Sequence, residues 1–176
     1  MANLKFQMPL RETYRNEKVN SGNMKELAAL AITKLLEDDN PYYRCLRKQL
    51  SISMSANLSY DGYGFVVNFE ADPMYKIIYP DVDYDIISGV IGVNSLGQDV
   101  CGFALFVEHG LLSQLDAYSI QTDTWSAESI RLLYAKTDNN GELIFCESGT
   151  SKSLEDLITL NCVKNESGDI FTVDGS

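Results

Sequence analysis

The sequence predicts an α+β fold, with N-terminal helices packed on a predominantly antiparallel β-sheet built from hairpins. Three observations carry this. Apolar residues recur at helical spacing between Met24 and Leu50. After Leu50 the period switches to two, as in a half-buried strand. Turn signals such as Asp61-Gly62 and Asp138-Asn139-Asn140-Gly141 then separate further apolar runs. Helices first and strands afterwards, with no strand–helix alternation, make the class α+β.

Taken in order, residues 1–22 are polar and read as an N-terminal arm. Residues 23–176 read as one α+β domain. Asn23 has the chemistry of a helix N-cap, with Glu26 three residues on to complete a capping box. Met24, Leu27, Ala28, Ala31, Ile32, Leu35 and Leu36 then form one stripe. Glu37, Asp38 and Asp39 oppose the helix dipole and help to end it. Asn40-Pro41 restarts the chain, since proline suits the first helical position. In this second helix Tyr42, Tyr43, Leu46 and Leu50 are expected inside, with Arg44, Arg47 and Lys48 facing water.

Ile52, Met54, Ala56, Leu58 and Tyr60 alternate with polar residues up to Asp61-Gly62. A two-residue turn there pairs Tyr60 with Tyr63, Leu58 with Phe65, Ala56 with Val67 and Met54 with Phe69, all on one face. Ile86 to Val93 is a β-branched run softened by Gly89 and Gly92. Val100 to Val107 and Leu111 to Ile120 flank a turn at His109-Gly110. Ile130 to Thr137 and Leu143 to Cys146 flank Asp138 to Gly141. Ser153 is placed to cap a short helix containing Leu154, Leu157 and Ile158. Ser167 to Val173 ends the chain as an edge strand or a loose tail.

At 176 residues the chain suits one domain and is too short for two comfortable ones. Its 45% apolar and 22% charged residues exclude a disordered chain or a coiled coil. No apolar run approaches the roughly 18 residues of a membrane span. The N-terminus lacks the apolar block of a signal peptide, and the expected location is cytoplasmic. The net charge of −11 argues against a duplex DNA or RNA binder. That charge is uneven. Residues 1–50 hold nine Lys/Arg and six Asp/Glu, whereas residues 51–176 hold five and nineteen. An acidic stretch of this kind is either a solvated surface or a face matched to a basic partner.

Four dispersed cysteines and a single histidine, His109, supply no close ligand pair, so a structural zinc is not expected. Cys101 and Cys146 lie in apolar runs and read as small core residues. The Walker loop, the nucleophile elbow, the HExxH pair and the dinucleotide fingerprint are all missing. Asp81-Val82-Asp83-Tyr84-Asp85 fails as a calcium loop, because Ile86 and Gly92 stand where glycine and glutamate are needed. In an extended chain Asp81, Asp83 and Asp85 would instead share one face, roughly 7 Å apart. That acidic ladder is either solvated or meets Lys and Arg side chains of a partner. Tyr75, Tyr79, Tyr84 and Trp125 lie among these acids, as core residues or as interface anchors inside an acidic rim.

The run from Gly102 to Ser119, GFALFVEHGLLSQLDAYS, joins an apolar strand through Glu108-His109-Gly110 to an L-S-x-L-x-x-Y segment. With the later Trp125, it resembles hairpins in small bacterial immunity proteins of contact-dependent growth-inhibition and polymorphic-toxin systems. The resemblance covers about 25 residues. It implies a cytoplasmic inhibitor that binds and blocks a basic toxin domain, often a nuclease, without turnover, cofactor, direct nucleic-acid contact or membrane contact. The partner-binding residues expected on this reading are Asp81, Asp83, Asp85, Glu108, Asp116 and Asp123, with Tyr84 and Trp125 as anchors. Two alternatives stay open: a small hydrolase or lyase using clustered carboxylates, and a non-catalytic acidic scaffold subunit.

Overall fold

The computed structural model describes residues 10–14, 21–52, 55–60, 62–120 and 130–173. Two helices, α1 (Ser21–Leu35) and α2 (Pro41–Ser51), lie over one face of a long sheet. The sheet contains β1 (Leu10–Tyr14), β2 (Ser55–Tyr60), β3 (Phe65–Glu70), β5 (Tyr84–Val93), β6 (Asp99–Glu108), β7 (Leu111–Ser119), β8 (Arg131–Thr137) and β9 (Leu143–Cys146). Its order is β1-β2-β3-β7-β6-β5-β8-β9. Every neighbouring pair is antiparallel except β1 with β2. A second sheet joins β4 (Ile77–Tyr79), β10 (Cys162–Asn165) and β11 (Ile170–Thr172), with β10 in the centre. A short helix, α3 (Glu155–Ile158), precedes β10. The α+β class read from the sequence is therefore the class observed.

The helical stripe reaches the core as expected. Met24, Leu27, Ala28, Ala31, Ile32, Leu35 and Leu36 are all buried, and they join Leu58, Phe65, Val67, Phe103, Leu105 and Leu115 from the sheet. Burial of such side chains contributes about 1.5–3 kcal/mol each for the larger ones. The start of α1 differs from expectation. The helix begins at Ser21, so Asn23 lies within its first turn and is not the cap. Asn40 does cap α2, its Oδ1 accepting from Tyr43 N at 2.8 Å. Arg44 and Arg47 are not the solvated side chains expected of this helix. Both lie largely within the fold, and Arg47 Nη1 donates to Leu36 O and Asp38 O. Those carbonyls are left over at the end of α1, and the guanidinium satisfies them.

The β2–β3 hairpin exists, but its register is displaced. Tyr60 pairs with Phe65, Leu58 with Val67 and Ala56 with Phe69. The connection is thus four residues long, and the expected two-residue turn is wrong. Met54 and Asp61 lie outside the described residues. Gly64 explains the longer loop. A Cβ there would sit 2.0 Å from the Ala117 carbonyl oxygen, so the backbone of this loop presses directly on β7. Tyr63 lies beyond the end of the β2–β3 ladder and is 61% exposed. A displacement of two residues leaves every side chain on its original face, so the core assignment of Ala56, Leu58, Phe65 and Val67 stands.

The β6–β7 and β8–β9 hairpins form as expected. His109 (φ 50°) and Gly110 (φ 77°) both turn left-handed, as a two-residue hairpin connection of type I′ requires. Ser153 does not cap α3. Leu154 holds that position, with no side-chain cap bond. Ser167 to Val173 does contribute an edge strand, β11.

Candidate partner-binding face

The central strands divide their side chains cleanly between two faces. On β6, Cys101, Phe103, Leu105 and Val107 are buried toward the helices. Ala104, Phe106 and Glu108 point the other way. Across the ladder Phe106 pairs with Ile86 and Gln114, Ala104 with Asp116, and Glu108 with Tyr84 and Leu111. The outer face of β5, β6 and β7 therefore carries Tyr84 (50% exposed), Ile86, Phe106, Glu108, Asp116 and Tyr118. The Tyr84 and Phe106 rings meet at 6.2 Å, tilted by 47°. An offset contact of this sort holds both rings in place without covering them.

The expected acidic ladder is not formed, and the reason is a break in the alternation. Val82 is buried and Asp83 exposed, but Tyr84 is exposed as well and Asp85 is only 1% exposed. The strand proper starts at Tyr84, which resets the phase. Asp81 and Asp83 remain at the surface, whereas Asp85 turns inward beneath α2. There its Oδ2 accepts from Tyr42 Oη at 2.9 Å and its Oδ1 from Leu154 N at 3.0 Å. Burial, reinforced by the neighbouring Asp85, pushes the Tyr42 hydroxyl far above its ordinary range. Asp85 is thus a buried structural carboxylate and is removed from the candidate face. Asp123 and Trp125 lie outside the described residues.

Asp83 holds a further position. Its carboxylate meets His109 Nδ1 at 2.9 Å, and its carbonyl accepts from His109 N at 2.7 Å. The chain before β5 is thereby tied to the β6–β7 turn. From behind, the same turn is fixed by Gln49 of α2, which sequence reasoning missed. Gln49 is buried, and its Nε2 donates to Gly110 O at 2.9 Å and to Tyr75 O at 3.0 Å. Its Oε1 accepts from Leu112 N at 2.9 Å. Ile77 N also donates to Gly110 O, at 3.0 Å. A glutamine on a helix between apolar positions gives one sequence signal, a polar residue on the core side of the stripe.

The electrostatics of this face follow from composition. Between Lys76 and Arg131 the chain has no Lys or Arg, and β2 and β3 have none either. Five adjacent strands, β2-β3-β7-β6-β5, therefore contribute no Lys or Arg to the sheet. Among the described residues no group of three His, Cys, Asp or Glu side chains is placed to hold a metal ion. Of the two cysteines read as core, Cys101 is buried, whereas Cys146 is only partly so because β9 is the last strand of the sheet. No helix is long and apolar enough to cross a membrane among the described residues. Comparison with protein-family models, with curated proteins and with solved structures yields no match.

Proposed function

We propose that this chain is a stoichiometric binding protein, an immunity protein that occludes a basic toxin domain, such as a nuclease, with the outer face of β5–β6–β7. The observation that carries the reading is the juxtaposition of exposed Tyr84 and Ile86 and half-buried Phe106 with Glu108 and Asp116 on strands that have no Lys or Arg, and with Asp83 just before β5. Aromatic and aliphatic anchors inside a charged rim are how protein interfaces concentrate affinity. The rim acids take the places that substrate phosphates occupy on the toxin, and the anchors exclude water between the surfaces. Binding needs no cofactor and no turnover, and the complex forms in the cytoplasm.

On this reading a toxin gene is expected immediately upstream of this one, and a metabolic operon there would count against it. The test uses the toxin domain so encoded and the triple substitution Asp81→Asn, Asp83→Asn, Glu108→Gln. All three side chains are exposed, so the fold is expected to survive. Association with the wild-type chain should slow as salt rises, because the Debye length falls from about 30 Å at 0.01 M to about 3 Å at 1 M. The triple variant should associate more slowly at low salt and lose most of that dependence. Tyr84→Ala should act mainly on dissociation. Wild-type association by the triple variant at low salt would remove these acids from the interface.

A further inference from the structure

We infer that the free edge of β9 is a second docking site, independent of the acidic face, for an extended polypeptide segment with basic side chains at both ends. β9 is the terminal strand of the sheet, and among the described residues it pairs with β8 alone. A terminal strand leaves a row of backbone N–H and C=O groups without ladder partners. Natural sheets blunt such an edge with lysine, proline, a bulge or an inward charge. The segment Glu142-Leu143-Ile144-Phe145-Cys146-Glu147 uses none of these between its two acids. Leu143 and Ile144 are 59% and 41% exposed, and they fall on opposite faces of the strand.

The edge is also packed along one face and hydrogen-bonded at both ends. Phe145 packs with Ile91, Val93 and Leu133 in a separate apolar cluster, and Cys146 stands opposite Tyr134. At the near end Asp138 N donates to Glu142 O at 2.8 Å, and Asp138 Oδ1 accepts from Glu142 N at 2.8 Å. At the far end Lys34 Nζ donates to Glu147 O at 3.2 Å. The strand is therefore held in place, and an incoming segment alone bears the ordering cost. Addition of a strand to such an edge draws affinity from main-chain bonds and specificity from the flanking side chains.

Charge selects the occupant. In the antiparallel register that pairs all four residues of β9 with a second copy, Glu142 of each chain falls opposite Glu147 of the other. Like charges directly opposite destabilise a ladder, and each chain carries −11. Four residues of strand also bury far less than the roughly 1,200–2,000 Å² of a stable protein interface. A short segment with Lys or Arg opposite Glu142 and Glu147 replaces that like-charge repulsion with attraction. Glu147 already lies 3.2 Å from Arg131, but both side chains are about two-thirds exposed or more, so the pair is open to exchange.

The experiment titrates the isotope-labelled chain with the hexapeptides Lys-Thr-Val-Thr-Val-Lys and Glu-Thr-Val-Thr-Val-Glu, followed by backbone amide shifts. The lysine peptide should move the amides of residues 143–146 and bind at least tenfold more tightly than the glutamate peptide. The double substitution Glu142→Lys, Glu147→Lys should invert that order while leaving the fold unchanged. Equal binding of the two peptides, or shifts confined to the face around Tyr84 and Glu108, would overturn the proposal. Self-association that protects the β9 amides would overturn it too, in favour of a second copy. None of these outcomes depends on the toxin.

Discussion

Removing the Asp85 carboxylate should damage the fold and leave the outer face intact. The carboxylate is buried and accepts two hydrogen bonds, from Tyr42 Oη at 2.9 Å and Leu154 N at 3.0 Å. Bonds to a carboxylate contribute about 1.5–3 kcal/mol, and a stranded buried donor costs about 1–3 kcal/mol. Tyr42 is fully buried, so its hydroxyl has no recourse to bulk water once the partner is gone. Asp85→Ala is therefore expected to cost about 4 kcal/mol. Asp85→Asn keeps the shape and one acceptor, and a rotated Tyr42 hydroxyl can accept from the new amide, so about 1–2 kcal/mol is expected. At roughly 3 °C per kcal/mol for a domain of this size, the melting temperature falls by about 12 °C and about 4 °C respectively.

The assay is urea unfolding of Asp85→Ala, Tyr42→Phe and the double variant. Because the two side chains share one bond, the double variant should be more stable than the sum of the single losses predicts, by about 1–2 kcal/mol. A loss below about 0.5 kcal/mol for Asp85→Ala, well under the value of a buried bond, would refute the reasoning. So would strict additivity in the cycle. Loss of partner binding without loss of stability would return Asp85 to the surface ladder.

Three further outcomes follow from the same geometry. Gln49→Ala strands Leu112 N and removes one of two donors to Gly110 O, so it should cost about 2 kcal/mol and speed hydrogen exchange at residues 110–112. Gly64→Ala puts a Cβ 2.0 Å from Ala117 O and should separate β3 from β7, whereas Gly62→Ala meets open space and bears only the strain of φ +100°; thermal melts should show a far larger loss at residue 64, against about 1–2 kcal/mol at residue 62. Burial pushes the Cys45 and Cys101 thiols up to about 12. Their protonated form belongs to the fold, so this stability is complete below about pH 8.5, the free-thiol value, and is lost as pH rises toward 12. A native thiol assay at pH 8 should detect Cys146 and Cys162 before Cys45 and Cys101; uniform rapid reaction of all four would contradict the burial.

What was legible in the sequence was governed by period, and what was not depended on phase and distance. The stripe from Met24 to Leu36 placed α1 on the core because seven positions agree. The β2–β3 hairpin was legible by face but not by register. Asp61-Gly62 offers a tight turn locally, while the close approach of Gly64 to Ala117, more than 50 residues away, selects the wider one. The acids at 81, 83 and 85 look equivalent in sequence. Only the point at which β5 begins, set by pairing of Tyr84 with Glu108, separates the inward carboxylate from the outward ones. The partners of Arg47 and Gln49 were beyond reach for a related reason. They are main-chain groups at Leu36, Asp38, Gly110 and Leu112, and composition says nothing about which carbonyls a fold leaves over.

On the proposed reading, the same leftover groups suit the outer face to occlusion. Glu108 and Tyr84 lie at the end of their strands, where a hairpin would ordinarily fray. Here the His109-Gly110 turn is held on two sides. Gln49 and Ile77 grip Gly110 from the core, and both the carbonyl and the carboxylate of Asp83 grip His109 from outside. The space behind Gly110 is closed as well, since a Cβ there would lie 2.3 Å from Ile77 O. The turn therefore has little freedom to lose when a partner arrives, and exposed side chains without such a tie, Glu108 among them, are what remains to be ordered. Each rotamer-rich side chain immobilised at an interface costs about 0.5–1.5 kcal/mol, whereas ordering a loose turn adds a backbone cost for every residue in it. On the proposed reading, the buried amide of Gln49 acts on affinity without touching the partner. Gln49→Ala should then weaken binding by more than its distance from the face would suggest, and Gln49→Glu, which sets a buried carboxylate oxygen against the Gly110 and Tyr75 carbonyls, should weaken it no less.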